Sequence, residues 1–313
     1  MRRFILEIML FFAVQIPLVV FLIARFPTLD NEMMAIHIDK QHRAAMLAGG
    51  PRVFMVGGSS VAYGYHSEIV EEELGIPAVN LGISGHTGFD FQLSEAEQTA
   101  RKGDVVVVSI EYLVLGKPQL VNNDFLFATL MCRPQSISFV PLPRLKVLLD
   151  GGLPVIRVLI RSAIRGRRNS PLYTRDGFNE YGDFVRMRGQ PSQYLPPQPG
   201  EPGPVIDDDG RLEAYVDRID GFIRRCEARG IRVFLMYCPY APAHFATHSR
   251  PIRLIAAALN ERFGDRLLCK PEETVFPNAM IADWVYHIGD EAGKIYSRLM
   301  AQRVKEKLGA PSR

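Results

Sequence analysis

Cysteine is scarce in this chain: 313 residues contain only Cys132, Cys226, Cys238 and Cys269, too widely spaced for a zinc knuckle or a CxxC redox pair. A disulfide-stapled miniprotein is thereby excluded. In an oxidising compartment two of the four can pair, and spacing does not say which; buried free thiols are the simpler expectation. Net charge is almost as scarce. Against 37 Lys and Arg stand 34 Asp and Glu, a formal +3 with no dense basic arm, so nucleic acid is not an expected partner. There is no G-x-G-x-x-G fingerprint and no Walker loop. His37 and His42 share a helical stretch without the carboxylates that would complete a ligand set. No cofactor and no metal are expected.

Apolar residues, by contrast, make up 47% of the chain, and they are unevenly spread. Arg2 and Arg3 precede FILEIMLFFAVQIPLVVFLIA, residues 4–24, and Arg25 closes the run. As a helix this stretch is roughly 31 Å long, close to the thickness of a bilayer's hydrocarbon core. Residues 1–25 therefore read as an N-terminal transmembrane anchor. A cleaved signal peptide is the rival, although the only small residue near the end, Ala24, has Leu22 two positions before it; a buried core helix is the third reading. Arg2, Arg3 and the terminal amine outweigh Arg25 with Asp30 and Glu32, which puts the short tail in the cytoplasm and the rest outside it.

Residues 26–50 read as a helical stem and 51–313 as the domain. Short apolar runs recur at 52–57, 76–81, 104–110, 231–238 and, weakly, 266–269. Helical patterns lie between them at 67–74, 89–101, 211–229 and 250–263, with a last helix over about 290–308. This alternation predicts an α/β domain, a three-layer α/β/α sandwich around a mainly parallel five-stranded sheet. Residues 117–205 break the pattern and end in the proline-rich SQYLPPQPGEPGP, an insertion between the third and fourth strands. Within it, Arg157, Arg161, Arg165 and Arg168 share one helical stripe, which suits either a solvated face or an anionic membrane surface. YTRDGFNEYGD, residues 173–183, is a polar, aromatic-rich loop that can fold over the domain's cleft, although no spacing forces it there.

In an open parallel sheet reactive groups gather at the carboxyl ends of strands. The first strand ends in Gly57-Gly58-Ser59-Ser60, a turn that exposes a serine at a helix start, where backbone N–H groups can hold an oxyanion. The second ends in Asn80-Leu81-Gly82-Ile83-Ser84-Gly85-His86, whose glycine lets another N–H approach. Asp283 and His287 stand just before the last helix and can supply a base and its orienter. Asp290 reads as that helix's N-cap.

GGSSVAYG, the glycine of NLGISG and the terminal Asp/His block together resemble the SGNH/GDSL hydrolase superfamily over residues 51–112 and 207–308. Within it the chain looks most like bacterial membrane-anchored members that accompany cell-surface polysaccharide systems. The resemblance implies a flavodoxin-like fold of the SGNH hydrolase type and an esterase or O-acyltransferase acting on O-acyl groups of extracytoplasmic glycans. It also implies an inner-membrane, single-pass location with the domain facing the periplasm. Its partners would be the membrane, through residues 4–24, an acylated glycan and polysaccharide-assembly membrane proteins. Ser59 would be nucleophile and first oxyanion donor, with Ser60 as the alternative nucleophile; Gly82 would be the second donor, His287 the base and Asp283 its orienter. Three residues rather than two separate that pair. Where the superfamily has aspartate before the serine this chain has Gly58, and where it has an asparagine donor this chain has Glu111. A carboxylate donates only when protonated. Asn80 or a loop amide would then substitute, and Asn80, Glu111 and His86 are the candidate substrate-binding residues. The competing reading is a catalytically silent module of the same fold that binds glycan or scaffolds a polysaccharide system.

Overall fold

The computed structural model describes residues 33–47, 49–113, 123–140, 173–196 and 210–309, with isolated positions elsewhere. Most of the apolar segment 4–24 and all but one residue of the arginine stripe at 154–168 lie outside the described residues. Among the described residues no helix is long and apolar enough to cross a membrane.

Four strands, β1 (Val53–Val56), β2 (Ala78–Asn80), β3 (Val105–Ile110) and β4 (Arg232–Tyr237), form one parallel sheet in the order β2-β1-β3-β4. Every residue of β3, VVVVSI, is buried, as a strand covered on both faces requires. Five strands were expected, and the run at 266–269 is not the fifth. It makes a single parallel bridge, Leu235 with Leu267. A 3₁₀ turn, Gly264–Arg266, precedes it, and Pro271, which has no N–H to offer a ladder, opens the next, Pro271–Thr274. Leu268 N–H still donates to Leu235 O, but Lys270 N–H is held by Glu273 Oε2, so the pairing goes no further.

The helices are α1 (Ile36–Met46), α2 (Ser59–Gly64), α3 (Ser67–Leu74), α4 (Phe89–Thr99), α5 (Asn123–Cys132), α6 (Arg211–Ala228), α7 (Pro242–Thr247), α8 (Ser249–Phe263) and α9 (Asp290–Gly309). Five of these match the helical patterns in the sequence to within a residue or two. In α6 the reason is visible: Tyr215, Val216, Ile219, Phe222, Ile223 and Cys226 recur at three- and four-residue spacing and are all buried. Helices α4, α6 and α8 pack together in one group and α2, α3 and α9 in another. All four cysteines are free thiols.

Two further pieces close the β2 edge. Helix α1, read from sequence as a stem, buries Ile36, His37, Lys40, Gln41 and Ala44 against the domain. Its Lys40 Nζ donates to the Asn80 carbonyl at 2.9 Å. From the insertion, Tyr181 O accepts from Asn80 N–H and Phe184 N–H donates to Ala62 O. Asp183, fully buried, accepts from Ser67 N–H at 2.8 Å, Ser67 Oγ at 2.6 Å and Asn80 Nδ2 at 2.8 Å. An edge strand left bare would expose unpaired backbone; here it is covered.

The strand order also locates the site. From β1 the chain moves to β2 on one side and then to β3 on the other, so the carboxyl ends of β1 and β3 flank the sheet's switch point, the usual ligand crevice of such folds. Ser59 directly follows the turn after β1, and Glu111 directly follows β3.

Candidate active site

Gly57 and Gly58 make the turn because nothing larger fits. A Cβ on Gly57 would lie 2.6 Å from Val61 Cγ2. One on Gly58 would lie 2.5 Å from both Glu111 Oε2 and Gly85 N. The loop after β2 and the end of β3 thus converge on Gly58. Helix α2 then begins at Ser59, which is partly exposed, while Ser60 is fully buried with Oγ 3.3 Å from Ser109 Oγ. Burial removes Ser60 as a nucleophile.

The base and its orienter are assembled. His287 Nδ1–H donates to Asp283 Oδ1 at 2.7 Å, and His287 N–H closes the intervening turn on Trp284 O. The three-residue spacing therefore brings the pair together. Burial pushes the Asp283 carboxyl up, but the His287 hydrogen bond and charge and the Tyr173 hydroxyl outweigh it, leaving it below the usual carboxylate value. His287 Nε2 is buried and has no hydrogen-bond partner among the described residues, Ser59 Oγ included. The imidazole lies flat on Tyr63, with ring centroids 3.8 Å apart and planes 8° off parallel. Tyr63 is four residues after Ser59 on α2, hence on the same helical face, so Ser59 lies one turn along from the ring on which the imidazole stacks.

Glu111 does not point a donor at this space. Its buried carboxylate accepts from Ser60 N–H at 3.1 Å, and the Gly58 amide favours its charged form. Burial raises its pKa, against the hydrogen bonds from Ser60 and the charge of His287. Nor is Gly82 available as a donor, because its N–H is held by Asn80 Oδ1 at 2.9 Å. A Cβ on Gly82 would lie 2.5 Å from Val61 Cβ, so this glycine serves the packing of the loop on α2. Asn80 is fully buried, its amide spent on Gly82, Val61 O and Asp183, so it reaches no substrate. Gly85 is the glycine beside the nucleophile turn: it is partly exposed, and the 3₁₀ turn Gly85–Thr87 that it opens does not use its N–H. His86 follows it, exposed, stacked on Phe125 of the insertion at 5.2 Å and hydrogen-bonded through Nδ1 to Ser84 Oγ.

Tyr173 belongs to the loop that the sequence offered as a cover for the cleft, without a role for the residue itself. Its hydroxyl donates to Asp283 Oδ2 at 2.8 Å, so the insertion reaches the base's orienter. Asp290 begins α9 and pairs with His66 Nε2 and Lys294, away from the His287 ring. Among the described residues no three His, Cys, Asp or Glu side chains gather as a metal site. No family model matches the chain, and no curated protein matches it.

Proposed function

We propose that the protein is a serine-dependent esterase or O-acyltransferase of the SGNH type, acting on O-acyl groups of extracytoplasmic glycans. The observation that carries this reading is the Asp283–His287 pair, with Nδ1 bonded and Nε2 bare, its imidazole stacked on Tyr63, one helical turn along from a partly exposed serine at the switch point of a parallel sheet. A base oriented through one ring nitrogen and unengaged at the other is what a serine nucleophile needs. Ser59 Oγ attacks the acyl carbonyl carbon while His287 Nε2 takes its proton. The tetrahedral oxyanion is held by the Ser59 N–H and, in place of Gly82, the Gly85 N–H. Its collapse breaks the acyl–oxygen bond, and the imidazolium returns the proton to the departing sugar hydroxyl. Water then releases the acyl-serine in an esterase; a second hydroxyl takes the acyl group in a transferase. The anchor at 1–25, with the domain on the periplasmic side, belongs to the same proposal.

The test is labelling of the full chain with a fluorophosphonate, beside hydrolysis of an activated acetyl ester. Labelling of wild type but not of Ser59→Ala supports the assignment; unchanged turnover in Ser59→Ala refutes it. One observation favours the second reading, a silent glycan-binding module: no hydrogen bond joins Ser59 to His287. Absent labelling together with measurable glycan binding would select that reading.

A further inference from the structure

Glu111 is a buried carboxylate that the mechanism above does not use, placed where a negative charge is hard to reconcile with a developing oxyanion. Its surroundings suggest another task. The turn at Gly58-Ser59-Ser60 presents its amides toward the end of β3: the carboxylate accepts from Ser60 N–H at 3.1 Å, and the Gly58 amide favours its charged form. An asparagine at 111 has a single acceptor oxygen, and its NH₂ would face an amide, donor against donor. A carboxylate is acceptor on both oxygens, so it is the side chain that this turn requires. The space it fills is the space a side chain at 58 would need, since Glu111 Oε2 stands 2.5 Å from a Cβ built on Gly58. Glycine at 58 and glutamate at 111 are thus two halves of one arrangement.

The same strand end also grips the other half of the site. Leu113 N–H donates to the Tyr286 hydroxyl, inside the turn that carries Asp283 and His287. Two residues apart, Glu111 and Leu113 tie the nucleophile turn and the base turn to β3. We propose that Glu111 is a positioning residue: its carboxylate fixes the Ser59 turn relative to His287, in the position where a donor to the substrate was expected. The functional half of this statement rests on the serine-hydrolase reading; the structural half does not. The ionisable groups around the pair are Tyr215 of α6, Cys238 after β4, Tyr286 and His287 of the terminal turn on the Glu111 side, and Asp283, Tyr63 and Tyr173 on the His287 side.

Two variants of the full chain separate the parts. Glu111→Gln keeps one acceptor and the volume but removes the charge; Glu111→Ala removes everything. Hydrogen exchange of the amides at 58–62 needs no activity. It is expected to quicken about tenfold or more in Glu111→Ala, in line with the loss of a charge-assisted hydrogen bond, and much less in Glu111→Gln. Equal exchange in wild type and Glu111→Ala overturns the proposal, whatever the labelling shows. The second readout is the fluorophosphonate labelling rate against pH. Removing a nearby negative charge is expected to move the acid-side midpoint down by about half a pH unit in Glu111→Gln, with the fold intact by melting temperature. A midpoint that does not move overturns the coupling to His287. Failure of wild type to label would sink the hydrolase reading and leave the exchange result to decide the role of Glu111 in the turn.

Discussion

Among the described residues stand two serine–histidine–carboxylate constellations, and the more deeply buried one is the less suited to chemistry. In the first, His37 Nε2 bonds Ser136 Oγ at 2.7 Å, and His37 Nδ1 lies 3.1 Å from Glu95 Oε1 without a hydrogen bond. All three side chains are buried, His37 and Ser136 completely. In the second, His287 holds Asp283 but leaves Nε2 unbonded, and Ser59 is partly exposed. Hydrogen-bond closure does not separate the two, since each histidine has one unpartnered ring nitrogen. What separates them is position: Ser59 and His287 stand at the carboxyl ends of the strands, whereas His37, Ser136 and Glu95 join α1, the 3₁₀ segment Pro134–Phe139 and α4 behind the sheet's edge. A fully buried constellation suits a packing role, whereas one with a partly exposed serine and a bare Nε2 suits the proposed chemistry.

The sharpest way to break this comparison is to remove each histidine in turn. His287→Ala should lower ester turnover by about 10²–10⁴, the usual contribution of a general base, with little change in melting temperature. His37→Ala should do the reverse. It leaves Glu95 and Ser136 with a lost partner in the interior, at a cost of about 1–3 kcal/mol in urea denaturation, and turnover per folded molecule should hold. If both variants lose turnover to the same degree while remaining folded, the two constellations are not distinct in the way proposed.

The two regions were unequally legible in the sequence. Gly57-Gly58-Ser59 announces itself, because paired glycines between an apolar run and a helix have few other uses. The helices were legible from their periodicity, which burial then imposes. In NLGISG, however, both glycines give the same signal, and the choice between them turns on Asn80. Its Oδ1 accepts from the N–H two residues on, an Asx turn, which was a local clue that Gly82 was already occupied. The sequence offered the loop holding Tyr173 and Asp183 as a cover for the cleft, but the partners of the two residues were beyond reach for a different reason. Both residues bond partners more than a hundred positions away, from a segment with no periodic pattern to fix its place. The missing fifth strand was a matter of local hydrogen bonding: Pro271 opens a turn whose Glu273 takes the Lys270 N–H.

The regions should also separate along the pH axis. Lys40, on the same helix as His37, is buried beside Asp183, Glu95 and Asp39, and burial brings its pKa down from 10.5 to about 7. Between about 7 and 10.5 the unfolded chain holds a proton that the folded one has released, so stability should rise with pH across that window. Buried thiols act with the opposite sign: Cys226 and Cys269 are pushed from 9.0 up to about 12, so their ionisation favours the unfolded chain above pH 9. The clean interval is therefore pH 7 to 8.5, where urea denaturation should show a gain of roughly 1–2 kcal/mol. Lys40→Met should flatten it. A flat wild-type profile would mean that Lys40 stays charged in the fold. Asp283 has the other sign again, since its lowered pKa gives stability that is lost only as pH falls through the carboxylate range.

The smallest expected effect is the most specific to the site. Tyr173→Phe deletes one hydroxyl and leaves the ring that packs near Phe184, at 5.9 Å between centroids. Asp283 then keeps His287 but loses the donor on Oδ2, and a single hydrogen bond to a charged group is worth about 1.5–3 kcal/mol at most. Half-exposed residues realise less than that, so a fall of about three- to tenfold in kcat is expected, with KM unchanged because Tyr173 orients the orienter and does not hold the substrate. The same substitution at Tyr181, whose backbone rather than hydroxyl ties the insertion to β2, should leave kcat alone. If Tyr173→Phe raises KM instead, the insertion contributes to binding the substrate. If it changes neither parameter, the His287–Asp283 pair holds its geometry without help, and the insertion's contact with the site is packing alone.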